Sequence, residues 1–143
     1  MIWEGEYMAR QRTVIAAITL LLAACSGPEE PSAALAGTYD LASVDSQPLP
    51  YQLKHPDGTA YMEIIAAILT LDARGGVTLV STHRRYTDPE PQVRSDTIEG
   101  AYTVAGDDVI VTAPEALPMR FTRMDDGLSI TAEGRTMLFV RRN

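Results

Sequence analysis

Few residues in this chain could do chemistry, and their spacing limits what that chemistry is. There is one cysteine, Cys25, and there are two histidines, His55 and His83, far apart in the sequence. A zinc site draws on His and Cys ligands in closely spaced pairs, so no metal site is expected. His55 lies beside Pro56 and near Gly58, in a stretch that reads as a solvated loop. No serine sits in the Gly-x-Ser-x-Gly turn that presents a nucleophile, and the chain has no Gly-x-Gly-x-x-Gly, phosphate loop or His-Glu-x-x-His. The acidic pairs Asp107-Asp108 and Asp125-Asp126 fall at turn positions, where aspartate is favoured because its carboxylate bonds the local backbone. Arg84-Arg85-Tyr86 is a short cationic patch, more readily explained as a solvated strand end than as a headgroup site. The residues therefore predict no catalytic centre and no cofactor, and the chain reads as a non-enzymatic protein.

Cys25 is set apart by what precedes it. Arg10 and Arg12 lead into an apolar run from Thr13 to Leu22, and Ala23-Ala24 bring the chain to the cysteine. A basic start, an apolar centre and small residues at a cut site make a secretory signal. The run is shorter than the roughly 20 apolar residues a spanning helix needs, so it reads as a segment that is removed. Leu22-Ala23-Ala24-Cys25 resembles the lipobox of bacterial lipoproteins, in which the cysteine is acylated, palmitate being one such chain, and becomes the mature N-terminus. The resemblance implies a signal peptide over residues 1–24, lipidation of Cys25 and attachment through that lipid to a membrane of the bacterial cell envelope. Ser26, where some lipoproteins carry an aspartate, resembles those sent to the outer membrane. Residues 25–35, with Gly27, Pro28, Pro31 and the pair Glu29-Glu30, read as a flexible tether. Glu4 and Glu6 are out of place in a basic leader, which makes Met8 the expected start.

Charge narrows the partners. The sequence has 12 Lys and Arg against 19 Asp and Glu; residues 1–24 hold two of each sign, so the net charge stays at −7 without them. With Lys54 the only lysine, there is no basic face for nucleic acid. Once Cys25 is acylated no thiol is left for a disulfide, so packing must supply the stability.

From Thr38 onward the pattern changes to short runs of period two, rich in Val, Ile, Thr and Tyr and separated by Gly, Asp and Pro. Such runs predict strands joined by turns. Eight are expected: Thr38–Val44, Ile64–Leu71, Val77–Ser81, Thr97–Val104, Asp108–Ala113, Met119–Met124, Gly127–Thr131 and Thr136–Arg142. Between the first two, Pro48, Pro50 and Pro56 argue against a central strand and predict a long polar connection. Short links between successive strands make sequence neighbours spatial neighbours, giving an all-β, antiparallel up-and-down meander. Eight strands can close into a barrel over residues 36–143 whose interior is either filled or holds one small ligand.

The period of two assigns faces. Tyr39, Leu41 and Ser43 share one side, and Leu69, Leu71, Val77, Leu79, Tyr102, Val104, Val109, Val111, Met119, Phe121, Leu128 and Ile130 line the same interior. Ile64, Ile68 and Ile110 do not fit, which points to a bulge, an outer-face contact or a register error. His83 and Arg85 continue the inward side of β-residues Val77, Leu79 and Ser81 toward one mouth; they and Tyr102 are the candidate ligand-facing residues. The competing reading for His83 and Arg85 is a strand end leaving the barrel into water.

Leu35-Ala36-Gly37-Thr38-Tyr39 opening the first strand, with Arg141-Arg142 closing the last, resembles the small lipocalin-like lipoproteins of bacteria. Those domains begin with Gly-x-Trp, and a late basic residue packs over the aromatic ring; here Tyr39 stands in the tryptophan's place. The resemblance implies structural roles for Gly37, Tyr39, Arg141 and Arg142. It implies an envelope lipoprotein that binds a small apolar ligand or presents a binding surface. The alternative is a protein–protein interaction module, an assembly accessory or enzyme inhibitor, with a filled barrel and working through loops such as Pro48 to Tyr61 or Thr87 to Asp96.

Overall fold

The computed structural model describes residues 33–143. The signal over 1–24, Cys25, Met8 and the tether up to Ser32 lie outside the described residues. Ten strands follow in chain order: β1 (Gly37–Val44), β2 (Gln47–Pro48), β3 (Tyr51–Lys54), β4 (Ala60–Leu71), β5 (Gly76–Arg85), β6 (Val93–Ala105), β7 (Asp108–Thr112), β8 (Met119–Met124), β9 (Gly127–Ala132) and β10 (Arg135–Arg141). All pairings are antiparallel. From β4 to β10 each strand pairs with the next; β1 pairs with β10 on one side and β4 on the other, which closes an eight-stranded up-and-down barrel. Closure removes the free edges that a meander of this length would expose.

The eight expected strands are the eight staves, and their alternation sets the core. Tyr39, Leu41, Leu69, Leu71, Val77, Tyr102, Val104, Val109, Val111, Phe121, Leu128, Ile130 and Phe139 are buried, with Leu79 and Met119 packed against them. Phe121 and Phe139 meet edge to face, centroids 5.8 Å apart, a favoured aromatic arrangement. Ser43 is the exception: the β1–β10 register slips between Leu41 and Ser43, so Val44, fully buried, takes the inward position. A bulge inserts one residue and reverses the alternation beyond it. A second slip, between Ile64 and Ala66 of β4, carries Ile64 to the inside. Ile68 and Ile110 lie out of phase with Leu69 and Val111 and stay half-buried on the outer face.

Two pieces depart from expectation. The polar connection carries β2 and β3, and β4 starts four residues early, because this region is not part of the barrel wall. β1 meets β4 only from Gly37↔Leu71 to Asp40↔Ile68; beyond that β1 turns to β2 and β4 to β3. The seam therefore splays at one end. Asp45 and Ser46, both at positive φ (49° and 63°), make the two-residue turn between β1 and β2, whose left-handed backbone matches strand twist. Asp45 ties that turn to β10 by accepting the Thr136 N–H at 2.8 Å. Likewise β6 begins at Val93, so Val93 to Asp96 is strand where a loop was expected.

The opposite end is filled. Tyr39, Tyr102, Leu69 and Leu71 crowd it, and Leu35, expected as the last residue of the tether, is buried among them at 6% exposure. The barrel thus has a plugged end, where the chain comes in, and a splayed one.

Candidate functional site

Toward the splayed end the interior is hollow. A cavity of about 220 Å³ lies there, walled by Leu41, Met62, Ile64, Ala67, Leu79, Met137 and Phe139 and reached by Ser81, Thr82 and His83. Its position follows from the strand geometry. Leu41 on β1 and Ala67 and Ile64 on β4 flank the point where the two strands part, and both strands slip register there.

His83 is the polar member with consequence. It is 7% exposed, placed inward by the period of two, and its Nδ1 stands 3.6 Å from an Asp96 carboxylate oxygen across the β5–β6 hairpin. Asp96 is mostly exposed, so the imidazole has apolar wall on one side and a solvated anion on the other. Ser81 is directly opposite Asp96 in register and on the face of His83. No hydrogen bond joins Ser81 to the imidazole among the described residues, so the three do not make a base-activated nucleophile, which needs that contact at about 2.6–3.2 Å.

Of the three residues singled out as ligand-facing, only His83 borders the cavity. Arg85 has the same parity but is exposed, because β5 runs past the barrel wall and its last residue stands in water. Tyr102 is inward but belongs to the plugged end, where its hydroxyl donates to the Asp72 carbonyl at 2.6 Å; burial raises its pKa, helped by the Asp72 charge and Tyr39. His55 is exposed and packs against the Tyr61 ring. Among the described residues no group of His, Cys, Asp and Glu is arranged to hold a metal ion, and no helix is long and apolar enough to cross a membrane.

No protein-family model matches the chain, and no curated protein or solved structure is significantly similar to it. What the chain does has to follow from its own geometry.

That geometry includes a second recess, about 500 Å³, outside the plugged end between Ala34, Leu35 and the β8–β9 turn. Arg123, Asp125, Asp126 and Arg141 line it, so the smaller cavity, with its apolar wall, is the better candidate for an apolar ligand. The floor of this recess is the Tyr39 ring. Arg141 lies over it, 5.9 Å from guanidinium carbon to centroid, within cation–π range. The same guanidinium donates to the Ala34 and Ala36 carbonyls at 2.7 and 2.6 Å, while the Tyr39 hydroxyl donates to Leu35 at 2.8 Å. Gly37 makes room: a Cβ there would sit 3.2 Å from Arg141 Nε and Nη2. Arg142 pairs with both oxygens of Asp40, at 3.0 and 2.6 Å, and holds that carboxyl below its usual range. The four residues thus fasten first strand to last.

Asp96, Met62 and Met137 were missed from sequence. The expected β4 and β6 began at Ile64 and Thr97, which left Met62 and Asp96 in loops. A longer β5–β6 hairpin, signalled by Thr-His-Arg-Arg-Tyr and Gln-Val-Arg-Ser-Asp flanking Pro89 and Pro91, would have brought Asp96 beside His83.

Proposed function

We propose that the chain is a non-enzymatic envelope lipoprotein, anchored through Cys25, whose lipocalin-like barrel holds part of a small apolar ligand at its splayed end. The observation that carries this is the cavity: the splayed end of the barrel keeps an apolar hollow, with the buried His83 at its rim. An apolar group seated there takes the apolar wall out of water, which favours an occupant. The cavity's volume is below the roughly 300–1,000 Å³ of pockets that enclose drug-sized ligands. At about 30 Å³ for a water-sized group it takes about seven heavy atoms, one short chain or one ring. A polar head would then rest at His83 and the solvated Asp96.

Native mass spectrometry of the protein purified from its own envelope is the test. A bound small molecule that is lost in Ala67→Leu, which fills the hollow from its wall, is the expected result. An empty barrel that carries a stoichiometric protein instead would favour the interaction-module reading, whose support is the exposure of Leu117 at 87% and Val93 at 52%.

A further inference from the structure

The β5–β6 hairpin outruns the barrel, and its outer strand lacks a neighbour. β6 pairs with β5 from Val93 to Ala101 but with β7 only from Ala101 to Ala105. The Tyr102 N–H bonds to the Gly75 carbonyl, on the β5 side. Alternation along the strand then turns the N–H and C=O groups of Val93, Ser95, Thr97 and Glu99 toward the side where β7 is missing. The terminal strands of the sheet, β2 and β3, are two and four residues long, with Pro48 in β2 and Pro50 and Pro56 on either side of β3, and shortness and proline are what blunt an edge. The β6 edge has neither device. Val93, exposed, opens it, and the loop bearing the exposed Leu117 leaves β7 against Gly100, at its other end.

Its charges select the partner. Edge strands are usually guarded by charge that repels a second edge, yet Arg94 and Asp96 are opposite in sign and two residues apart. Laid antiparallel against itself with Ser95 opposite Ser95, the strand sets Arg94 against Asp96 on both sides of the two-fold axis and Val93 against Thr97. Moving the centre one residue either way sets Asp96 against Asp96 or Arg94 against Arg94. Opposite charges facing across strands stabilise and like charges destabilise, so one register is selected.

We propose that this edge pairs with the same edge of a second copy of the chain, giving a two-fold dimer through an antiparallel β6–β6 contact centred on Ser95. An isologous contact of this kind closes on itself and leaves no further edge of β6 to recruit a third chain. The register also sets Arg94 of the partner subunit against Asp96, the carboxylate beside His83, so the second copy completes the rim of the cavity. The dimer does not depend on what the cavity holds.

Residues facing each other in a hydrogen-bonded antiparallel pair have Cα atoms about 5.5 Å apart, within disulfide range. The full-length protein in mild detergent, carrying Ser95→Cys, is therefore expected to form a disulfide-linked dimer on mild oxidation, beyond the level of the wild type with its single Cys25. Thr97→Cys alone should not, and co-expression with Val93→Cys should restore the cross-link. Asp96→Arg in the Ser95→Cys background should abolish it, and adding Arg94→Asp should bring it back. A folded Ser95→Cys chain that stays uncrosslinked, or equal cross-linking at Ser95 and Thr97, overturns the proposal. So does finding that Asp96→Arg releases a foreign protein with no loss of self-association. All these positions are exposed and circular dichroism separates misfolding from lost pairing.

Discussion

Tyr39 is held at three points: ring against the core, hydroxyl on the Leu35 carbonyl, and Arg141 over its face. Burial raises its pKa against the opposing Arg141 and Arg123 charges, so it stays a neutral donor. Tyr39→Ala is expected to cost about 3–5 kcal/mol, and Tyr39→Phe, which loses only the hydroxyl contact, about 1 kcal/mol. Urea denaturation followed by far-ultraviolet circular dichroism measures both; an unchanged midpoint for Tyr39→Ala would contradict the packing. Asp72 acts on the β4–β5 turn, accepting the Arg74 and Gly76 N–H groups at 2.8 and 2.7 Å, and the Gly76 bond first, then that of Arg74, lowers its pKa. A carboxyl with a folded pKa below its unfolded one contributes stability above the unfolded value and loses it as pH falls through the folded one. The advantage of wild type over Asp72→Ala should thus be present at neutral pH and shrink below about pH 4. A difference that is independent of pH would remove the charge from the explanation. His83 was legible from period two alone. Asp96 was not, because prolines on both sides of Glu90 disguise how far the hairpin runs.

At the scale of elements, turn chemistry and close approach decide. Glu133 and Gly134 form the two-residue β9–β10 turn with φ of 52° and 76°, where asparagine followed by glycine is preferred. Glu133→Asn should raise stability by about 0.5–1 kcal/mol, read as a higher urea midpoint. Gly127 is the reverse case. A Cβ there would collide with the Phe139 carbonyl of β10, which is backbone and cannot yield. Gly127→Ala should lower stability by about 1–3 kcal/mol, or the sheet is looser at that pair than described. The eight staves were readable because each is bounded by Gly, Asp or Pro and keeps its alternation. β2 and β3 were not, since prolines that exclude a central strand still permit edge strands hung on β1 and β4. The slip beyond Leu41 was equally hidden: Ala42 and Ser43 carry no mark of a bulge, and only the pairing with Leu138 and Met137 reveals that Val44 has the inward place.

At the scale of the whole molecule, the proposed lipid on Cys25 makes its own prediction. Cys25→Ser is expected to leave the precursor uncut or release the protein from membranes, detected by fractionation; a processed Cys25→Ser protein that stays membrane-bound would refute lipid anchoring. Arg141 grips the incoming backbone at Ala34 and Ala36, at the plugged end, whereas the hollow opens at the other. Ten residue-to-residue steps lead from Cys25 to Leu35 and can span at most about 33–36 Å. Were Cys25 held in a leaflet, as proposed, the mooring would reach the barrel at its sealed pole, opposite the hollow, and the length of that mooring would bound how far the opening can stand from the leaflet.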